Sequence, residues 1–146
     1  MQILQATLQH LQEVALLFDQ YRQFYNQPRD LEAAAAFLSA RIEKNESIIF
    51  FAKIDEQTAG FIQLYPTFSS VNMQKAFILN DLYVEECFRG HGVGKALIEK
   101  CYSVCEQEQA RYITLQTAPD NEMAKRLYEK MGMEINREFI SYIKYF

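Results

Sequence analysis

Proline, glycine, histidine and cysteine are all scarce in this 146-residue chain, at 3, 5, 2 and 3 copies. With 49% hydrophobic residues beside so little proline and glycine, the chain is not a disordered or low-complexity polymer. Positive charge is not in excess either. There are 15 Lys and Arg against 19 Asp and Glu, a formal net charge of −4. That balance disfavours a general nucleic-acid binder and favours a cationic partner. No segment nears the ~18 consecutive apolar residues that a membrane span needs. The opening Met1-Gln2-Ile3-Leu4-Gln5-Ala6-Thr7 lacks the basic start and apolar core of a signal peptide, so a cytoplasmic location is expected. Cys87, Cys101 and Cys105 are odd in number and lack CxxC spacing, which suits reduced thiols. Cys101 and Cys105 share a helix face, but only His10 and His91 could join them. No metal site is expected, and the thiols read as small apolar residues.

What is present organises into alternating patterns. The length suits one core that buries roughly 70% of the unfolded chain's surface, and no repeat or linker divides it. A single domain over residues 1–146 is therefore expected. Met1–Ala6 suits a short strand, with Thr7 as the cap of a helix whose apolar positions run from Leu8 through Val14, Phe18, Tyr21 and Tyr25. Pro28 ends that helix, and Asp30 caps a second one that frays near Asn45. Ser47–Ile54 and Thr58–Phe68 read as a hairpin across Asp55-Glu56-Gln57, followed by a strand over Lys75–Val84. A glycine cluster precedes a third helix, Arg111–Thr117 is a parallel strand, and a fourth helix runs from Pro119-Asp120 to Lys130 with Gly132 as its stop. Two final strands are expected around Met133–Asn136 and Phe139–Tyr145. The predicted class is α/β: a mixed central sheet of about seven strands with helices on both faces, in the order βααβββαβαββ.

Three of the five glycines fall in Arg89-Gly90-His91-Gly92-Val93-Gly94-Lys95, between a strand and a helix start. Backbone N–H groups, the helix dipole and two cations together make an anion site; the alternative is a tight turn with no ligand. A P-loop fails, because Arg89 takes the first glycine position and Ala96 replaces the magnesium-binding hydroxyl. A dinucleotide fingerprint fails as well, because Lys95 stands where the third glycine belongs. Within the strand before the loop, Asp81 is a carboxylate in an otherwise apolar run. Isolated burial of such a group is costly, so it needs a partner or a task.

The pattern Arg-x-x-Gly-x-Gly, formed by Arg89, Gly92 and Gly94, resembles the GNAT superfamily of N-acetyltransferases. Its neighbours extend the likeness over nearly the whole chain. Asn80-Asp81-Leu82-Tyr83-Val84 looks like the family's central strand, and Asn121-x-x-Ala124-x-x-Leu127-Tyr128 looks like its second signature. Within the superfamily, the chain is most similar to polyamine (spermidine/spermine) and small histone/polyamine acetyltransferases. One departure is Asn80, where polyamine enzymes carry an acidic residue.

The resemblance implies acetyl-CoA as co-substrate, with its pyrophosphate in the loop formed by Arg89, Gly90, His91, Gly92, Val93, Gly94 and Lys95. It implies that the backbone of Leu82, Tyr83 and Val84 holds the pantetheine arm and thioester carbonyl, while their side chains pack the core. Asn121 is either a contact to the pantetheine amide, a helix cap, or both. Tyr128 is the implied general acid; its alternative is a packing role beside Leu127. A phenol, ordinarily titrating near 10, stays protonated at neutral pH and can quench a departing thiolate. Asp81 is the preferred base for an alkyl ammonium, with Glu85 and Glu86 as alternatives. The implied acceptor pocket draws on Tyr21, Phe24, Tyr25, Tyr65 and Phe68, with Asp19 and Glu32 as further charges. Tyr21, Tyr25 and Tyr65 are the substrate candidates. The expected reaction is direct transfer to a primary amine, a small cationic molecule or polyamine. Two other readings stand beside it: a protein-lysine acetyltransferase and a non-catalytic acetyl-CoA sensor. Homodimerisation through Phe139, Tyr142, Tyr145 and Phe146 is a further expectation from the resemblance.

Overall fold

A computed structural model describes residues 1–146. They form two compact units, Met1–Gln116 and Thr117–Phe146. The first is built on a five-stranded sheet in the order β1-β2-β3-β4-β5. Its elements are β1 (Gln2–Gln5), α1 (Leu11–Phe24), α2 (Leu31–Glu43), β2 (Ile48–Ile54), β3 (Gln57–Ser69), β4 (Gln74–Val84), α3 (Val93–Gln107) and β5 (Ile113–Thr114). The second unit contains α4 (Glu122–Lys130). No helix is long and apolar enough to cross a membrane.

Local signals explain most boundaries. Thr7 caps a 3₁₀ turn, Leu8–His10, which leads into α1; its hydroxyl accepts from the Gln9 N–H at 3.3 Å. The Asp30 carboxylate accepts from the Ala33 N–H at 3.1 Å and opens α2. The β2–β3 hairpin turns on Asp55 and Glu56, both at positive φ (48° and 65°), the signature of a type I′ turn. The first four strands are antiparallel, and β4 and β5 are parallel.

Strand alternation sends two sets of side chains to opposite faces. Ile49, Phe51, Phe61 and Tyr83 pack with Val14, Leu17 and Phe18 of α1 and with Ala34 and Leu38 of α2. The other parity, with Phe50 opposite Ile62 and Ile62 opposite Leu82, faces α3. Gly60 lies in this second set, and a Cβ there would meet the Val93 side chain of α3 at 3.2 Å and the Tyr83 carbonyl at 2.7 Å. Glycine is thus required where α3 begins over β3 and β4. Phe51, Phe61, Phe77, Leu97 and Ile98 are wholly buried, each contributing about 1.5–3 kcal/mol of transfer free energy.

The two expected C-terminal strands do not form, so the sheet has five strands rather than about seven and the observed order is βααβββαβα. Residues 133–146 hold no regular element, and Phe139, Ile140, Tyr142, Ile143, Tyr145 and Phe146 are exposed. Phe139–Tyr145 is rich in β-forming residues, but a strand needs a ladder neighbour, and none in this chain pairs with it.

Candidate active site

The site in the first unit begins with a defect in the β3–β4 ladder. Gln63 pairs with Asp81 and Leu64 with Leu79, which leaves Asn80 as an extra residue in β4. Such a bulge re-aims the residues around it. Asp81 lies with only 3% of its surface exposed. The Gln63 amide donates to one of its oxygens and the Asn80 amide to the other at 3.1 Å. Burial pushes the Asp81 carboxyl above the ordinary carboxylate range, and hydrogen bonds from Gln63, Tyr21 and Asn80 partly oppose that shift. A carboxylate poised in this way can take a proton from a cation.

Asp81 and Asn80 line a cavity of about 490 Å³. Phe18, Tyr21 and Arg22 of α1 and its C-cap Tyr25 form one stripe, Ala33, Ala34 and Phe37 come from α2, and Tyr65 from β3. The Tyr21 hydroxyl donates to the Asn80 carbonyl at 3.2 Å, fixing α1 over the bulge. Burial, aided by the Asp81 charge, raises the Tyr65 phenol to about 12, so it stays a neutral donor at any working pH. The structure therefore gathers Tyr21, Tyr25, Tyr65 and Asp81, all singled out by sequence, around one space.

Other candidates fall elsewhere. Phe24 lies off the Phe18–Tyr21–Tyr25 stripe and is 55% exposed; Phe68, of opposite strand parity to Tyr65, is 75% exposed. Asp19 is buried but taken up by Arg22 at 2.9 Å, by the Gln23 amide and by the Asp30 N–H. Glu32 is exposed and outside the lining. Conversely, sequence reasoning missed Gln63, Phe18, Phe37 and Arg22. Gln63 had a legible signal, a polar residue inside the apolar run Phe61-Ile62-Gln63-Leu64.

The far end of β4 carries the second half of the site. β5 pairs only at Phe77–Ile113 and Ile78–Thr114, so β4 has no ladder partner on that edge from Leu79 to Val84. Leu82, Tyr83 and Val84 lie on this opened stretch, still paired on their other edge to Ile62, Phe61 and Gly60. Arg89 folds back, its Nε donating to the Val84 carbonyl at 3.0 Å and its guanidinium 5.8 Å from the Tyr83 ring centre. The His91 Nδ1 lies 3.0 Å from the Arg89 carbonyl oxygen.

Gly90 and Gly92 both have positive φ (81° and 79°), and Gly92 opens α3 without any side-chain cap. The first helical bond is from the Ala96 N–H to the Gly92 carbonyl, so the N–H groups of Val93, Gly94 and Lys95 have no acceptor within the helix. The first turn holds no acidic side chain, and a Cβ at Gly90 or Gly92 would meet nothing within 4 Å. Open donors, the helix dipole, Arg89 and Lys95 fit a phosphate or pyrophosphate. Lys95 is bound only by a loose, exposed pair with Glu99 at 3.6 Å.

In the second unit, the Asn121 side chain accepts from the Ala124 N–H at 3.3 Å and caps α4, so the cap reading of this residue holds. Tyr128 lies in the last turns of α4. Its carbonyl accepts from the Met133 N–H at 3.0 Å, and that of Glu129 from the Gly132 N–H at 3.0 Å. With Gly132 at φ 84°, these bonds make a Schellman stop.

The model of the acetyltransferase (GNAT) family matches residues 11–133. An uncharacterized N-acetyltransferase of Bacillus subtilis, YhfO, is 44% identical over 142 residues, which is 97% of this chain and 95% of that protein. The crystal structure of a probable acetyltransferase superposes with a TM-score of 0.95 at 38% identity, covering 100% of this chain and 98% of the other. An aminoglycoside N-acetyltransferase, AAC(6')-Iy, in complex with CoA shares the fold at a TM-score of 0.84 and 23% identity, over 98% of this chain and 93% of that one.

Proposed function

The chain belongs to the GNAT acetyltransferase family, and from that premise we propose that it moves an acetyl group from acetyl-CoA directly to a primary amine held against Asp81. The observation that carries the reading is β4 itself. One strand presents a buried, bulged carboxylate to an aromatic cavity and then runs, unpaired on one edge, into an uncapped helix start.

Bound acetyl-CoA supplies the acetyl group as a reactive thioester. The N–H groups of Val93, Gly94 and Lys95 hold its pyrophosphate with Arg89 and Lys95, while Gly90, His91 and Gly92 shape the loop. The backbone of Leu82, Tyr83 and Val84 lines the arm. An N–H on this edge stabilises the developing oxyanion, by a few kcal/mol in comparable sites. An alkyl ammonium titrates near 10.4 and must lose a proton before it attacks, and Asp81 accepts that proton. Tyr128 returns a proton to the leaving thiolate; its role and the contact of Asn121 with the pantetheine amide rest on the family resemblance. We read residues 1–146 as one catalytic domain acting in the cytoplasm.

The experiment is acetyl-CoA-dependent thiol release with a primary amine. Tyr128→Phe should lower kcat about 10²-fold or more with the KM for acetyl-CoA little changed. Full turnover by that variant, with acetyl transfer rate-limiting, would remove Tyr128 from the mechanism. The sensor reading predicts cofactor binding with no thiol release from any acceptor.

A further inference from the structure

The charge inventory of the cavity narrows the acceptor, provided the cavity is the acceptor site as read above. Only two lining residues are charged, and they are of opposite sign: Asp81 at the bulge and Arg22 on α1. Arg22 is already bonded to Asp19 at 2.9 Å and to the Pro28 carbonyl at 3.2 Å, which holds its guanidinium in place. Asp19, the one other buried carboxylate, spends its oxygens on Arg22, Gln23 and the Asp30 N–H and lies outside the lining. The remaining lining is neutral and largely aromatic, including Tyr21, Tyr25, Phe37 and Tyr65.

Such a space has one seat for one ammonium. A second or third ammonium on the same molecule would find no free carboxylate in the lining, because Asp19 is already held by Arg22, Gln23 and the Asp30 N–H, and would be left partly desolvated and unpaired. An α-amino acid fits poorly as well: its carboxylate would sit beside its amine and so near Asp81, and the one guanidinium in the lining, Arg22, is already held by Asp19 and the Pro28 carbonyl. Ring faces favour an apolar or aromatic body, and a cation next to them is stabilised by the ring quadrupole. We propose that the cavity selects a monoamine with a compact aromatic body, an arylalkylamine, over polyamines, aminoglycosides and α-amino acids.

The test compares kcat/KM for phenethylamine, spermidine, kanamycin and phenylalanine in the thiol-release assay, with calorimetric titration of acetyl-CoA alongside. Phenethylamine should exceed each of the others at least tenfold. Ala33→Glu, which adds a carboxylate to the lining from the first turn of α2, should raise kcat/KM for spermidine at least fivefold and so narrow that gap. A wild-type preference for spermidine or kanamycin would overturn the selectivity while leaving acetyl transfer established. An Ala33→Glu variant indifferent to spermidine would overturn the charge argument. Acetyl-CoA binding without turnover of any of the four amines would overturn the arylalkylamine assignment, and loss of cofactor binding as well would overturn the acetyltransferase reading beneath it.

Discussion

Asp81 shows how one residue couples stability to chemistry. Its carboxyl titrates above the ordinary range because burial outweighs the donors around it. The folded protein therefore holds this proton more tightly than the unfolded chain does. The stability it contributes is fully present below the unfolded value and is lost as pH rises through the folded value. Activity runs the other way, because only the deprotonated form accepts a proton from an ammonium. As pH falls through the same window, kcat/KM should drop, with an acid limb above the ordinary carboxylate value. Asp81→Asn should abolish that limb, cut kcat about 10²–10⁴-fold and flatten the stability decline seen by urea titration at several pH values. Gln63→Leu removes a donor to the carboxylate and should move the limb to higher pH. A variant of Asp81 with the wild-type profile would return the base role to Glu85 or Glu86. The carboxylate was legible in sequence because it interrupts an apolar run. Gln63 interrupts one too, but its purpose emerges only from the register that sets it opposite Asp81.

At the scale of elements, the ends of β3, β4 and α3 meet at Gly60. The closeness of the Tyr83 carbonyl and the Val93 side chain leaves no room for a methyl group. Gly60→Ala should therefore destabilise the protein by about 1–3 kcal/mol and raise the KM for acetyl-CoA, because α3 must shift at the end that carries the loop. Denaturant unfolding and cofactor titration of the same variant would check both; a neutral effect on stability would show that the junction is slack. Helices, caps and hairpin were readable because each rests on local chemistry: Asp30 at a cap, Gly132 at a stop, and β-rich runs on either side of the polar Asp55-Glu56-Gln57 turn. The bulge at Asn80 was not readable, since it depends on how two strands align. The brevity of β5 was hidden for the same reason, because Arg111–Thr117 has strand composition throughout while only Ile113 and Thr114 pair in register with β4. Phe24 and Phe68 were misplaced because composition alone does not say which face of a helix or strand looks into a cavity.

The whole molecule leaves one composition-level expectation in a different light. The C-terminal stretch has the β-forming composition of a strand without a partner in its own chain, and its aromatic residues are exposed. We keep the proposal that it pairs with a second copy. Multi-angle light scattering at micromolar concentration should give the mass of two chains, and deletion of residues 139–146 should give one; a full-length monomer would end that proposal. The central claim, however, is the reaction. Purified protein should be mixed with acetyl-CoA and phenethylamine while free thiol is followed and the product weighed by mass spectrometry. The account predicts thiol release that depends on the amine, stoichiometric with an acetylated amide, and nearly lost in Asp81→Asn. Acetyl-CoA binding without amine-dependent thiol release, from phenethylamine or any other primary amine, would contradict it.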